Sequence, residues 1–246
     1  MENKAKHNKL KHRDIIKMVK RNETQEFVTG AENFVKKNSE SMIIGAIVIL
    51  IVIIAVPLFL NFRASNNMKA EQALSEANYY VNRPVLDDPQ ASMYGFFRTN
   101  KEKYDRVQAA YNAVISDYKG TDAAAGAYLG LANSYYNNVQ YKEALEYYAT
   151  FITKYPKHAL AAEAYSGKAY ALFQMGQYSD AVKEWELVQK NFKGGNNPDD
   201  IKLRIAESYL KAGNKGAAKA ICEEMVKSGK DNYWTSAAKD MLLRAQ

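Results

Sequence analysis

The sequence predicts an all-α protein in two parts: one transmembrane helix near the N-terminus and, after it, a solenoid of helical hairpins closed by a C-terminal capping helix. Three observations lead there. No charged residue occurs between Glu40 and Arg63. From about residue 125 onward, small and aromatic residues recur every 37 positions. The whole chain of 246 residues has five prolines and thirteen glycines, few for this length, while Ala, Lys, Glu, Leu and Tyr recur throughout, a balance that favours helix over strand.

The first residues are basic. Residues 1–41 hold ten Lys/Arg against six Asp/Glu, whereas the remaining residues hold 24 against 21, so more than half of the formal net charge of +7 lies ahead of the apolar stretch. A basic tail beside an apolar run is a topology signal and a ligand for anionic lipid heads. The rest of the chain has no basic stripe, so nucleic acid is not an expected partner.

The span itself is taken as Ser41 to Phe62, 22 residues that include the run Ile43-Ile44-Gly45-Ala46-Ile47-Val48-Ile49. A helix of that length rises about 33 Å, enough for a hydrocarbon core of about 30 Å. A buried core helix would show a polar face over six turns, and this one shows none. The charged leader is too long and the apolar run too extended for a cleavable signal peptide, which points to an uncleaved signal anchor. Close to the span the basic residues nearly balance, with Arg21, Lys36 and Lys37 before it and Arg63 and Lys69 after it. The wider basic tail then sets the expected direction: N-terminus in the cytoplasm, C-terminal domain outside it.

Ahead of the span, Phe27, Val28, Ala31, Phe34 and Val35 share one helical face. Acids lead this segment and lysines end it, in keeping with the helix dipole. Two placements fit: a short amphipathic helix lying on the inner leaflet, or a continuation of the transmembrane helix.

Beyond the span the repeat governs. Ala144, Ala181 and Ala218 are one period apart, and so are Ala132, Ala169 and Ala206; Tyr148, Trp185 and Cys222 form a third column. Each unit reads as two helices whose alanines mark close approach and whose aromatic residues fill the space beside them. The break between the helices falls at Asn138-Val139 in the first unit and at Gly176 and Gly213 in the later ones, where a left-handed residue ends a helix. Upstream, Tyr104 to Tyr118 forms a further second helix, whose partner is expected to be Asn67 to Asn82, continuing from the membrane. Residues 90–98 are expected to add a helical turn or two, and Gly194 to Pro198 a loop between the second and third units.

The columns Tyr128, Leu131, Ala132, Tyr135, Ala144, Tyr148, Phe151 and Pro156 resemble the tetratricopeptide pattern of large, small, aromatic and proline positions, and the next two units keep most of them. The resemblance implies a tetratricopeptide-like α-solenoid over residues 63–246, with repeats at about 125–161, 162–198 and 199–231 and a capping helix at 232–245. Before it lie the basic cytoplasmic tail (1–21), the juxtamembrane amphipathic helix (22–40) and the span (41–62). In that family the groove is lined by first-helix positions, which fall here on Leu129, Asn133, Tyr136, Asn137, Ser166, Tyr170, Phe173, Gln174, Leu203, Glu207 and Lys211. The implied partners are proteins or peptides. Leu129, Ser166 and Leu203 stand where the family's carboxylate clamp has its lysine, a departure from that clamp.

The layout of tail, span and repeat domain also resembles the ancillary subunit of the bacterial Sec translocon, through Glu26-Phe27-Val28, Phe34, Lys36-Lys37-Asn38 and the helix Ala70 to Asn82. That likeness implies a protein of the bacterial inner membrane with its repeat domain in the periplasm, in contact with membrane lipid and acting as a scaffold or chaperone for exported polypeptides. A cytosol-facing adaptor of reversed topology is the other reading of the same features. His7, His12 and His158 are scattered, and no metal-spaced cluster, phosphate loop or nucleophile motif is present, so neither an enzyme nor a cofactor is expected. Cys222 falls in the buried column and is expected to be a small hydrophobe.

Overall fold

A computed structural model describes the backbone of residues 2–192, 197–229 and 232–244, and the side chains from residue 20 onward within those ranges. The fold is all-helical among the described residues, as the periodicity predicts. Its helices are α1 (Glu2–Val81), α2 (Asn100–Asp117), α3 (Asp122–Asn137), α4 (Tyr141–Lys154), α5 (Ala161–Gln174), α6 (Tyr178–Asn191), α7 (Pro198–Lys211), α8 (Lys215–Lys227) and α9 (Tyr233–Arg244). Two compact units result, Met1–Arg63 and Ala64–Gln246. The loop expected at 194–198 falls largely outside the described residues.

In the first unit the backbone is helical without a break through residues 22–40 and the apolar run, and Pro57 sits inside the helix. Its apolar side chains point outward: Ile43, Ile44, Leu50, Ile53 and Leu58 are all exposed. It is the one helix among the described residues long and apolar enough to cross a membrane, and none of its most apolar window is buried within the protein.

The second unit is a row of hairpins, each helix packing on the next. Local chemistry starts and stops them. Thr99, Thr121, Asn197 and Asn214 accept backbone N–H groups at the starts of α2, α3, α7 and α8, satisfying donors that have no partner inside the helix. The helices α3, α5 and α7 end in one repeated turn. Gln140, Gln177 and Asn214 donate their N–H to the carbonyls of Tyr135, Leu172 and Tyr209 at 2.9 Å in all three, and the residue before each, Val139, Gly176 or Gly213, has a left-handed backbone.

Four clusters form the core, one behind each hairpin. Ala132, Ala144, Tyr148 and Phe151 pack between α3, α4 and α5; Ala169, Ala181, Trp185 and Val188 repeat the arrangement one unit on. Leu203, Ala206, Cys222 and Met225 are covered by Ala238 and Met241 of α9, which closes the row as a capping helix does. Burying Trp185 and Phe151 contributes about 1.5–3 kcal/mol each. At the other end Val107, Tyr111 and Val114 of α2 pack on Ala70 and Ala77, so the last turns of α1 serve as the first helix of an additional hairpin.

The connection from α1 to α2 is long. Arg83 ties it together, donating from Nε to Gly95 O at 2.7 Å and from a terminal nitrogen to Tyr94 O at 3.1 Å, while its guanidinium lies over the rings of Tyr79 and Phe96. A short 3-10 turn at Ala91–Tyr94 accounts for the helical turn expected there.

Candidate binding groove

The first helices of the hairpins, α3, α5 and α7, together with the end of α1, share a face, and two cavities open on it. One seam recurs along this face. The ring of Tyr111 lies against Gly130, and the ring of Tyr148 against Gly167, each so closely that a Cβ on the glycine would come within 2.4 Å and 2.3 Å of the ring carbons. Each hydroxyl then donates to an amide oxygen across the seam, Tyr111 to Asn78 Oδ1 at 2.7 Å and Tyr148 to Asn133 Oδ1 at 2.5 Å. Burial raises both phenols, Tyr111 to about 12.

One period further on, the chemistry changes. Trp185 replaces the tyrosine and has no hydroxyl to donate, Arg204 stands in the glycine column, and Tyr170 stands in the amide column. Tyr170 packs edge-on against Trp185 with ring centroids 4.7 Å apart, and the Arg204 guanidinium lies 5.6 Å from the Tyr170 centroid. Arg204 is 3.3 Å from Glu207 and 3.6 Å from Asp200. Burial opposes its charge, but Tyr170, Asp200 and Glu207 outweigh that and hold its pKa above the ordinary value. Burial likewise raises Tyr170, with Arg204 pulling the other way.

The larger cavity, about 480 Å³, lies between the end of α1, α2, α3 and the start of α5. Asn133 and Asn137 are in its wall beside Leu129, Lys103 and Tyr104. The Tyr104 hydroxyl donates to the Asn137 carbonyl at 3.1 Å. Asn133 is already engaged, accepting from Tyr148 and donating to Glu163 at 3.3 Å. The smaller cavity, about 200 Å³, is enclosed by Tyr136, Tyr170, Phe173, Gln174, Trp185, Arg204 and Glu207.

Of the positions read from the sequence, Asn133 and Asn137 therefore meet in one cavity, while Tyr136, Tyr170, Phe173, Gln174 and Glu207 meet in the other. Ser166 lies in the wall of neither, and its hydroxyl donates to the Ala162 carbonyl at 2.9 Å. Leu203 is in the core and Lys211 is exposed. His158 is half-buried, lying edge-on against Phe151, and its Nδ1 accepts the Leu160 N–H at 3.1 Å. Sequence reasoning missed Leu74, Asn78, Lys103, Tyr104 and Arg204. Arg204 was readable from its column, where an arginine replaces two glycines; the others lie upstream of the regular repeats and carried no such signal. Among the described residues no group of side chains has metal-ligand geometry.

The hairpins stack in the manner of tetratricopeptide repeats, and residues 100–159 and 129–191 match the sequence profile of the tetratricopeptide repeat family. In fold the chain is similar to a tetratricopeptide repeat protein from Parabacteroides merdae, with a TM-score of 0.54 and 10% identity over 72% of this chain. It spans 60% of that protein's length. Two structures of a Podosopora anserina protein with nearly identical TPR-like repeats are similar at a TM-score of 0.53 and 16% identity, over 73% of this chain and 85% or 86% of theirs. No curated protein matches the chain. Repeats of this class imply protein–protein interaction.

Proposed function

We propose that this chain is a membrane-anchored scaffold that binds polypeptides along the shared face of α3, α5 and α7, with residues 41–62 as the anchor and the repeat domain on the periplasmic side of a bacterial inner membrane. The observation that carries the binding reading is the pair of cavities on that face, apolar and aromatic in their walls with a few convergent amides and charges. Rings cover apolar side chains of a ligand and amides pair with its backbone. The orientation follows from the basic tail, and the layout's likeness to the ancillary Sec subunit supports newly exported polypeptides as clients. Residues 22–40 form the juxtamembrane segment in this reading.

A photo-crosslinking amino acid at Tyr136 or Tyr170 in intact cells tests it. Pulse-labelled exported chains are expected to be captured from both positions and not from Leu187, which is exposed on α6. Capture of lipid alone, or equal capture from Leu187, would refute the groove. Reporter fusions at the two termini test the orientation, and a cytosolic C-terminus would establish the adaptor of reversed topology instead.

A further inference from the structure

The larger cavity holds two polar groups that the fold leaves unspent. Ser134 is 4% exposed, and its Oγ forms no hydrogen bond among the described residues. A buried hydroxyl left without a partner has given up its hydrogen bonds to water with nothing in return. Lys103 is half-buried in the same wall, and its ammonium forms no ion pair or hydrogen bond among the described residues. Neighbouring cations are spent: Lys101 pairs with Asp105, and Arg106 donates to the Tyr80 hydroxyl at 2.8 Å. The acid across the cavity, Glu163, already accepts from Asn133. Leu74, Val107 and Leu129 supply apolar wall around these groups. A cation partly withdrawn from water beside such a wall attracts an anion more strongly than one in open solvent.

We propose that this cavity takes an acidic side chain of the bound polypeptide, set between apolar residues, with the Lys103 ammonium pairing with its carboxylate. The Ser134 hydroxyl, able both to donate and to accept, bonds the adjoining backbone. The cavity's 480 Å³ is of the size that encloses a short segment. This rests on the groove reading and adds the charge of the ligand to it.

The test uses the full chain in detergent micelles and three acetylated, amidated dodecapeptides that differ only in a central Glu, Gln or Lys between leucines. Blocking both peptide ends makes the side chain the one charge that varies. By fluorescence anisotropy the Glu peptide is expected to bind about tenfold tighter than the Gln peptide, the scale of one charge-assisted hydrogen bond. Salt reduces the advantage. Lys103→Glu transfers the preference to the Lys peptide, with circular dichroism confirming that the variant is folded, and Ser134→Ala weakens all three alike. Equal affinities for the three peptides, or a Lys103→Glu variant that keeps the original order, overturn the proposal and leave the groove reading standing. If none of the three binds, both fall.

Discussion

Val139 sits in a backbone conformation that a β-branched residue rarely adopts, and replacing it with glycine should stabilise the protein. Its φ is +63°, in the turn where the next two hairpins have Gly176 at +76° and Gly213 at +81°. All three turns make the same pair of backbone hydrogen bonds, so the geometry is imposed by the helix end and not by the side chain. An L-residue in this region costs about 1–2 kcal/mol, and glycine loses about 0.5–1 kcal/mol of extra backbone entropy on folding. The difference is a net gain of about 0.5–1 kcal/mol for Val139→Gly. Little opposes it, because the side chain is 68% exposed and gives up almost no burial.

Thermal unfolding of the full chain in detergent, followed by circular dichroism, reads the effect. For a domain of this size the gain corresponds to a rise in Tm of about 1–4 °C. Gly176→Val is the mirror experiment and, by the same balance, should cost about 0.5–1 kcal/mol. If Val139→Gly is neutral or destabilising while Gly176→Val is tolerated, the turn is not strained and the reasoning fails.

Two further predictions concern the seam beneath the groove. Gly130→Ala and Gly167→Ala each drive a methyl into a tyrosine ring and should destabilise by about 1–3 kcal/mol in urea titrations, with Gly216→Ala, whose added carbon meets nothing nearer than 4.0 Å, as the tolerated control. Burial disfavours the Tyr111 phenolate and pushes its pKa up to about 12 from an ordinary 10.0. Its folded pKa is raised, so its contribution is complete below pH 10 and lost as pH rises toward 12. Urea midpoints should therefore fall over that window, and Tyr111→Phe should flatten the slope; an unchanged slope in the variant would exclude Tyr111 as its source.

The repeat was legible because the alanine columns are a direct record of helix contact: where two helices touch, nothing larger fits, and the constraint returns at every period. Ala144, Ala181 and Ala218 are all fully buried, as that logic requires. The apolar run was legible for a similar reason, since only a lipid or protein interior tolerates it. The groove was legible in part. Tyr136, Tyr170, Phe173, Gln174 and Glu207 could be placed on one face through the tetratricopeptide resemblance, and they do surround one cavity. The pairing of Asn67 to Asn82 with the helix that became α2 was also legible, but spacing said nothing of Lys103, Leu74 or Asn78 as cavity wall, because the long connection after α1 breaks the period that would carry groove positions upstream.

Periodicity is a local property, carried by neighbours a turn or a repeat apart, and so the all-helical class, the unit length and the apolar helix were determined by the chain's linear order. Which side chains close a seam and which stand open in a cavity depends on atoms brought together from different hairpins. Tyr148 spends its hydroxyl on Asn133, and Trp185 cannot do the same one repeat later, so the two positions share a column and differ in chemistry. That difference, and the unspent hydroxyl of Ser134, were decided only when the helices packed.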